Sequence, residues 1–440
     1  MKKNIFLIMI LLLIGVALQA QTSYFPPTDT DAWETTSPES LNWCNDSLSV
    51  LKNYLNEQNS KAFLVLKDGK IVVEWYFDTF TADSVWYWAS AGKTITSLLV
   101  GKAQEQGLLS INDKSSDYLG VGWTSCTTAQ EEAILVKHQL SMSTGLDDNV
   151  ADPFCTLPAC LEYKAAPETR WAYHNAPYTL LDGVIEEATG QTLQQYTNAI
   201  LKNQIGFNGL WLKVDYNNVF WSKPRVMARF GILMLNNGVW NSNTIVNAAY
   251  LDEARQTSQN KNLSYGYLWW LNGKESFMVP ELQVVFDGYL LPDAPADTYS
   301  ALGKNGQVLS ISPSKGLVIV RMGEAPDGSS GELVSMDITN EIWKKLNASM
   351  RSCEVPEPTA LSEYKKLVKI HPNPSKEGFT VSLPAHQFNL VICDLQGRQL
   401  FSQENINEQL YFDKPLAKGI YVLHISDEKE HFYTEKIVIE

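Results

Sequence analysis

Ser90 and Lys93 stand at the head of an apolar-striped run, Ser90-Ala-Gly-Lys93, that continues through Ile95, Leu98, Leu99 and Ala103 and closes at Gly107. In a helix this spacing places serine and lysine one turn apart on one face, so the amine reaches the hydroxyl. A serine becomes nucleophilic when a base takes its proton, and a lysine amine serves when desolvation or a second cation favours its neutral form. The spacing alone decides nothing, because Ser49 to Lys52, Ser258 to Lys261, Ser312 to Lys315, Ser362 to Lys365 and Ser426 to Lys429 repeat it. What sets Ser90 apart is the strand-like run Val85-Trp-Tyr-Trp88, which feeds directly into a buried-type helix N-terminus.

Two further clusters carry suitable chemistry. Arg170-Trp-Ala-Tyr173-His-Asn175 offers a phenol and an amide two residues apart, a pair able to relay a proton and orient a lysine or a substrate. The bland alternative is a core tyrosine and a turn asparagine. Gly303-Lys304-Asn305-Gly306-Gln307 puts a cation and glycines at the start of an apolar strand, where a substrate backbone can approach and the next amide can face an oxyanion. Its alternative is a solvated turn before a strand.

The elements that must position these residues follow from the pattern. Residues 40–57 have helical spacing, and Lys61 to Phe77 reads as two strands turned around Asp68-Gly69. From Ser90 to Pro280 the pattern is mostly helical, broken by turns such as Asn237-Gly238. Strand character returns over Gln307 to Met322, hinged at Pro313-Ser-Lys-Gly316, and a helix follows from Glu332 to Met350. A sheet that is begun, interrupted by a large helical insertion and completed late, with terminal helices to cover it, is an α+β arrangement. Beyond Cys353 the run Glu-Val-Pro-Glu-Pro-Thr reads as a linker, 353–366, because its prolines continue neither helix nor central strand. Short alternating strands at 379–383, 388–393, 420–425 and 433–439 then predict a small β-sandwich over 367–440.

At 440 residues, 45% of them hydrophobic, the chain is long enough for one large domain and one small one. Its formal charge of −14, from 35 Lys and Arg against 49 Asp and Glu, repels phosphate backbones, so nucleic acid is excluded as an expected partner. Lys2 and Lys3, an apolar stretch from Ile5 to Leu18, and Ala20-Gln21 read as a signal peptide over residues 1–20. That stretch is shorter than the roughly 20 residues a spanning helix needs, so no permanent membrane span is expected. Export permits disulfides among Cys44, Cys126, Cys155, Cys160, Cys353 and Cys393. Cys155 and Cys160 flank a short loop they could close, and Cys44 and Cys353 lie near the two ends of the large domain; a buried thiol is the alternative for each. No His-Glu-x-x-His or similar ligand spacing occurs among the six histidines, and no metal or organic cofactor is implied.

Taken in order, Ser-x-x-Lys, Tyr-x-Asn and Lys-x-Gly, separated by one helical insertion, resemble the β-lactamase-related serine hydrolases: class C β-lactamases, penicillin-binding DD-peptidases and related esterases and amidases. Val136-Lys-His-Gln-Leu-Ser-Met-Ser-Thr-Gly145-Leu, the run Tyr178 to Gly190 and the run Arg229 to Gly238 are similar too, so the resemblance covers residues 40–350. It implies Ser90 as acylated nucleophile, Lys93 as its proton acceptor and Tyr173 as the relay that protonates the leaving group and helps activate water. Asn175 would bind the acyl amide, Lys304 would add positive field near Tyr173, and the Ser90 and Gln307 N–H groups would form the oxyanion hole. Members that bind β-lactams carry Lys-Thr-Gly, whose hydroxyl holds the substrate carboxylate, whereas Asn305 takes the middle place here. The chain therefore reads as a hydrolase of a carboxylic ester, amide or peptide, with a β-lactamase or DD-peptidase as the rival and a catalytically silent surface binder as the rival from another class. Trp86, Trp88, Trp171, Trp269 and Trp270 either line an apolar acyl site or are core.

The tail has its own resemblance. Lys369-Ile-His-Pro-Asn-Pro374, Asp394-Leu-Gln-Gly-Arg398, Lys418-Gly-Ile-Tyr421 and Lys436-Ile-Val-Ile-Glu440 look like the C-terminal sorting domain of type IX secretion substrates. This implies the type IX machinery as a partner and passage to the surface or medium of a Gram-negative cell. Cys393 then belongs to a module apart and is expected to lack a disulfide partner.

Overall fold

The computed structural model describes residues 23–325, 334–351, 368–376, 378–394, 398–427 and 432–440. The signal peptide and linker readings, 1–20 and 353–366, fall outside these. The chain divides into two compact units, Met1–Cys353 and Glu354–Glu440.

In the first unit the chain runs α1 (Asn45–Glu57), β1 (Ser60–Lys67), β2 (Lys70–Tyr76), β3 (Trp86–Tyr87) and α2 (Lys93–Glu105). It continues through α3 (Asn175–Thr179), α4 (Leu181–Thr189), β4 (Gly209–Val214), β5 (Asn217–Ser222) and α5 (Pro224–Leu235). It closes with β6 (Trp270–Leu271), β7 (Tyr299–Gly303), β8 (Gln307–Ser312), β9 (Leu317–Gly323) and α6 (Met336–Ser349). The main sheet has the order β2-β1-β9-β8-β7-β6, antiparallel throughout, so the two N-terminal strands lie beside the late ones and the helical insertion leaves and re-enters the same sheet.

Both faces of the sheet are covered, which is why its central strands are buried end to end in place of alternating. Neighbouring residues of β8 show the two faces: Ser310 Oγ accepts from Trp343 Nε1 of α6 at 3.0 Å, while Leu309 packs toward Gly231 of α5. On the α6 side α1 buries Leu48, Leu51 and Leu55 at helical spacing, and α6 buries Ile338, Ile342, Trp343 and Leu346. Each fully buried leucine truncated to alanine there costs about 2–5 kcal/mol. Asp68 and Gly69 both take positive φ, 50° and 86°, and make the β1–β2 hairpin turn. A second small sheet, β3-β5-β4, stands beside the insertion and ties the approach to Ser90 to the 209–222 hairpin.

Cys155 and Cys160 are bridged. Cys126 and Cys393 are free thiols and Cys44 is disulfide-bonded, while Cys353 lies outside the described residues. No helix among the described residues is long and apolar enough to cross a membrane.

The second unit is a small β-sandwich of β10 (Lys369–His371), β11 (Phe379–Cys393), β12 (Gln399–Phe412), β13 (Gly419–Asp427) and β14 (Phe432–Ile439). The long β11 pairs with β10 through its first half and with β13 through its second, and β12 follows it along both, so one strand serves both parts of the sheet. Phe379, Val381, Leu390, Ile392, Leu423 and Ile425 alternate inward to form its core. The runs 379–383 and 388–393, read as two strands from sequence, are one strand with a register shift between Ser382 and Gln387.

Candidate active site

Ser90 sits in a single 3₁₀ turn, Ala89–Gly92, and Lys93 begins α2 directly after it. The turn is anchored from both sides. Before it, Trp88 is fully buried among Phe207, Phe220 and Phe230, with its backbone N–H donating to Phe220 O at 2.8 Å and its indole N–H to Ser222 Oγ at 2.8 Å. Behind it, α2 is buried continuously from Lys93 to Gly101. Ala89 is held at φ 47°, a left-handed conformation that costs about 1–3 kcal/mol for a residue with a Cβ and turns the next residue out of the strand direction.

Lys93 Nζ donates to Ser90 Oγ at 3.0 Å. Its side chain is enclosed by aromatic faces, lying 4.2 Å from the Tyr178 ring centroid and 5.3 Å from that of Tyr173. Burial pushes the amine down to about 7, with the Asp182 carboxyl acting in the opposite direction. The lysine is thereby available as a neutral base near neutral pH, which an exposed lysine is not. Tyr173 stacks on Trp270 with centroids 5.7 Å apart, and burial raises its phenol well above the usual range while a side-chain hydrogen bond with Ser90 acts the other way. It stays a proton donor at neutral pH. Asn175 opens α3 and, with Ser90, Lys93, Tyr173, Tyr178 and Lys304, lines a cavity of about 900 Å³. The other walls come from the 148–154 loop and from Val214 to Val219. The Arg170–Asp148 ion pair at 2.6 Å and the Cys155–Cys160 bridge tie down the loop.

The third cluster is arranged differently from its sequence reading. Lys304, Asn305 and Gly306 form the three-residue turn between β7 and β8, with Gly303 paired to Gln307 across it. Asn305 and Gly306 take φ of 62° and 78°, and the Arg321 guanidinium donates to their carbonyls at 3.1 and 2.7 Å, closing the turn from beneath. Of the four residues only Lys304 lines the cavity. Asn305 Nδ2 donates to Tyr87 OH at 2.8 Å, Gly306 N–H donates to Ser335 Oγ at 2.7 Å, and Gln307 is fully buried with its amide bound to Gly323. The residue that meets the nucleophile is Gly303: a Cβ there would lie 3.1 Å from Ser90 N, 3.0 Å from Ala91 N and 2.6 Å from Trp88 O. Asn305, Gly306 and Gln307, expected at the substrate, are engaged around the turn and are not among the residues that line the cavity. The Asn-Gly dipeptide, a strong short hairpin signal, is the feature in the sequence that could have identified the turn.

Of the five tryptophans singled out in the sequence, four are core and Trp86 packs half-buried against it. Trp88, Trp171, Trp269 and Trp270 are buried, and no tryptophan lines the cavity. Asp182 of α4 went unremarked in the sequence because nothing in the run Tyr178 to Gly190 distinguishes it from a helix surface carboxylate. In the fold it is buried, accepts from Asn218 Nδ2 at 2.8 Å and has its carboxyl pushed up to about 7 by burial.

The comparisons with known proteins agree with this architecture. Residues 55–332 match the Beta-lactamase family and residues 369–440 match the Secretion system C-terminal sorting domain. The chain belongs to the β-lactamase family, with the serine hydrolase fold of the penicillin-binding proteins, and carries a type IX sorting domain that indicates export to the cell surface or medium by that machinery. An uncharacterised protein of Alkalihalophilus pseudofirmus is 22% identical over 268 residues, 54% of this chain and 73% of the relative. Among solved structures, a putative 6-aminohexanoate-dimer hydrolase from Bacillus anthracis is similar with a TM-score of 0.57 at 18% identity, covering 74% of this chain and 90% of the other. A putative β-lactamase from Bacteroides dorei has a TM-score of 0.56 at 15% identity over 70% and 99% of the two chains. A family VIII carboxylesterase has 0.53 at 13% identity over 72% and 98%.

Proposed function

We propose that the protein hydrolyses a carboxylic ester or amide through an acyl-enzyme on Ser90. The observation that carries this is the 3.0 Å hydrogen bond from Lys93 Nζ to Ser90 Oγ, made by an amine whose burial favours its neutral form, at the wall of a large cavity. Lys93 takes the Ser90 proton as Oγ attacks the substrate carbonyl. The oxyanion is held by the backbone N–H groups of Ser90 and Lys304, because Gly303 brings the end of β7 against the Ser90 turn. Tyr173 gives its phenol proton to the departing alkoxide or amine and is reprotonated by the Lys93 ammonium; water then reverses the sequence and releases the acid. Asn175 stands where it can hold the acyl group.

Ester or amide is favoured over β-lactam by the cavity's polar lining. The cations among its described residues are Lys93 and Lys304, set against Asp152, Asp215 and Glu281, while Asp148 is engaged by Arg170. Asn305, in the place of the carboxylate-binding hydroxyl, is turned to Tyr87. A substrate carboxylate therefore meets little complementary charge. A neighbour named as a putative 6-aminohexanoate-dimer hydrolase and another named as a family VIII carboxylesterase accord with this choice. The test is turnover by the full chain of short p-nitrophenyl esters, small amides and a penicillin at equal concentration. Faster penicillin turnover than ester or amide turnover would replace this reading with the β-lactamase one. The signal peptide and sorting domain together would carry the hydrolase across the periplasm of a Gram-negative cell to its surface.

A further inference from the structure

Asp182 is a buried carboxyl that the acylation steps leave unused. It stands one helical turn beyond Tyr178, whose ring covers the Lys93 amine, and α4 packs directly on α2. Its Oδ2 accepts from Asn218, a residue of the cavity wall, whereas its Oδ1 is buried without a hydrogen-bond partner among the described residues. Leaving a carboxylate oxygen buried and unmatched costs about 1–3 kcal/mol or more, so hydrogen bonding alone does not account for an acid at this position.

We propose that Asp182 is a positioning residue for nucleophile activation, a counter-charge to the ammonium that Lys93 becomes when it takes the Ser90 proton. This rests on the reading of Ser90 and Lys93 as nucleophile and base. The charges that act on Asp182 are those of Lys93, from α2, and Glu186, one turn along its own helix; the charge that acts on Lys93 is that of Asp182. Other polar groups on the elements packed against α4 are engaged elsewhere. Tyr118 donates to Asp113 at 2.6 Å, Lys137 and His138 face Glu168 at 3.6 and 3.2 Å, and Tyr196 donates to Gln106 at 2.8 Å. Burial drives Lys93 and Asp182 each toward its neutral form and each opposes that drive in the other, so the two titrate as a pair.

The sign follows. Without the carboxylate, desolvation of Lys93 is unopposed and the amine loses its proton at lower pH. It is then also a weaker base, because the ammonium formed on proton transfer has lost its counter-charge. The acid limb of serine acylation moves down by about 1 pH unit, and the plateau rate falls by up to about tenfold, the ratio one unit of lost basicity allows.

The experiment is the rate of fluorophosphonate labelling of Ser90 in the full chain across the acid and neutral range, for wild type, D182N and D182E, with thermal melts of each. The expected result is a lower acid limb and lower plateau in D182N, both returned toward wild type in D182E. Should D182N fail to melt cooperatively, D182S is read in its place. A labelling profile whose acid limb is indifferent to the charge at residue 182 would overturn the proposal while leaving Ser90 as nucleophile. Absence of labelling at Ser90 in the wild type would overturn the nucleophile assignment and this inference with it.

Discussion

Gly303→Ala is the perturbation that tests the approach of β7 to the nucleophile turn as the origin of the oxyanion site. Gly303 has φ −133°, a conformation alanine adopts without strain, so any effect comes from space alone. The added methyl would lie 2.6 Å from Trp88 O and 3.1 Å from Ser90 N, both backbone atoms of the anchored nucleophile turn. Ordinary carbon contacts lie at about 3.5–4.0 Å, so relief moves the end of β7 or the Ser90 turn by about 0.5–1 Å. Overpacking of this kind costs about 1–3 kcal/mol of stability, and a misplacement near 1 Å costs about 100-fold in rate. We therefore expect kcat for an activated ester to fall by about 100-fold while a cooperative melt is retained. Gly306→Ala is the comparison: its Cβ would strike Arg321 beneath the turn at a position of φ 78°, so it should lower the melting temperature more than it lowers the activity of the folded fraction. Steady-state kinetics and melting of both variants decide the matter. Wild-type activity in G303A would refute the approach of β7 to the nucleophile as the origin of the oxyanion site.

Three further outcomes are expected. Lys93 must be neutral to accept a proton, so kcat/KM should rise with pH through about 7, the value to which burial lowers its amine from 10.5, and Lys93→Met should abolish ester turnover while raising thermal stability, most at and below pH 7 and progressively less as pH rises toward 10.5. Asn305→Thr restores the hydroxyl of the β-lactam-binding box, yet the side chain at 305 faces Tyr87, so penicillin acylation measured by mass should not increase. Deletion of residues 367–440 should retain active enzyme in the periplasm, as fractionation and ester activity would report; undiminished export would contradict the sorting role of the tail.

Much of the fold was legible because it is written in local signals. The Asp68-Gly69 turn, the apolar stripe behind Ser90 and the leucine spacing of α1 each specify an element without help from distant residues. Ser90 and Lys93 were legible for the same reason, since a single turn of chain carries both. The 303–307 segment was not, because a Lys-x-Gly string and an Asn-Gly hairpin turn are the same letters. What decides between them is Arg321, on β9, which closes the turn, and the contact of Gly303 with the Ser90 turn. Asp182 was hidden likewise: its burial depends on α2 and the 217–222 strand, both far away in sequence. The strand β12 was missed because most of its side chains are exposed and polar, leaving its pairing with β11 to hold it in place.

The most direct test of the central claim is the intact mass of the full chain after brief exposure to a small activated ester, compared with its Ser90→Ala variant. The account predicts an acyl adduct on the wild type that decays as ester is turned over, and none on the variant. An adduct that persists in Ser90→Ala, or no adduct together with no turnover in the wild type, would contradict it.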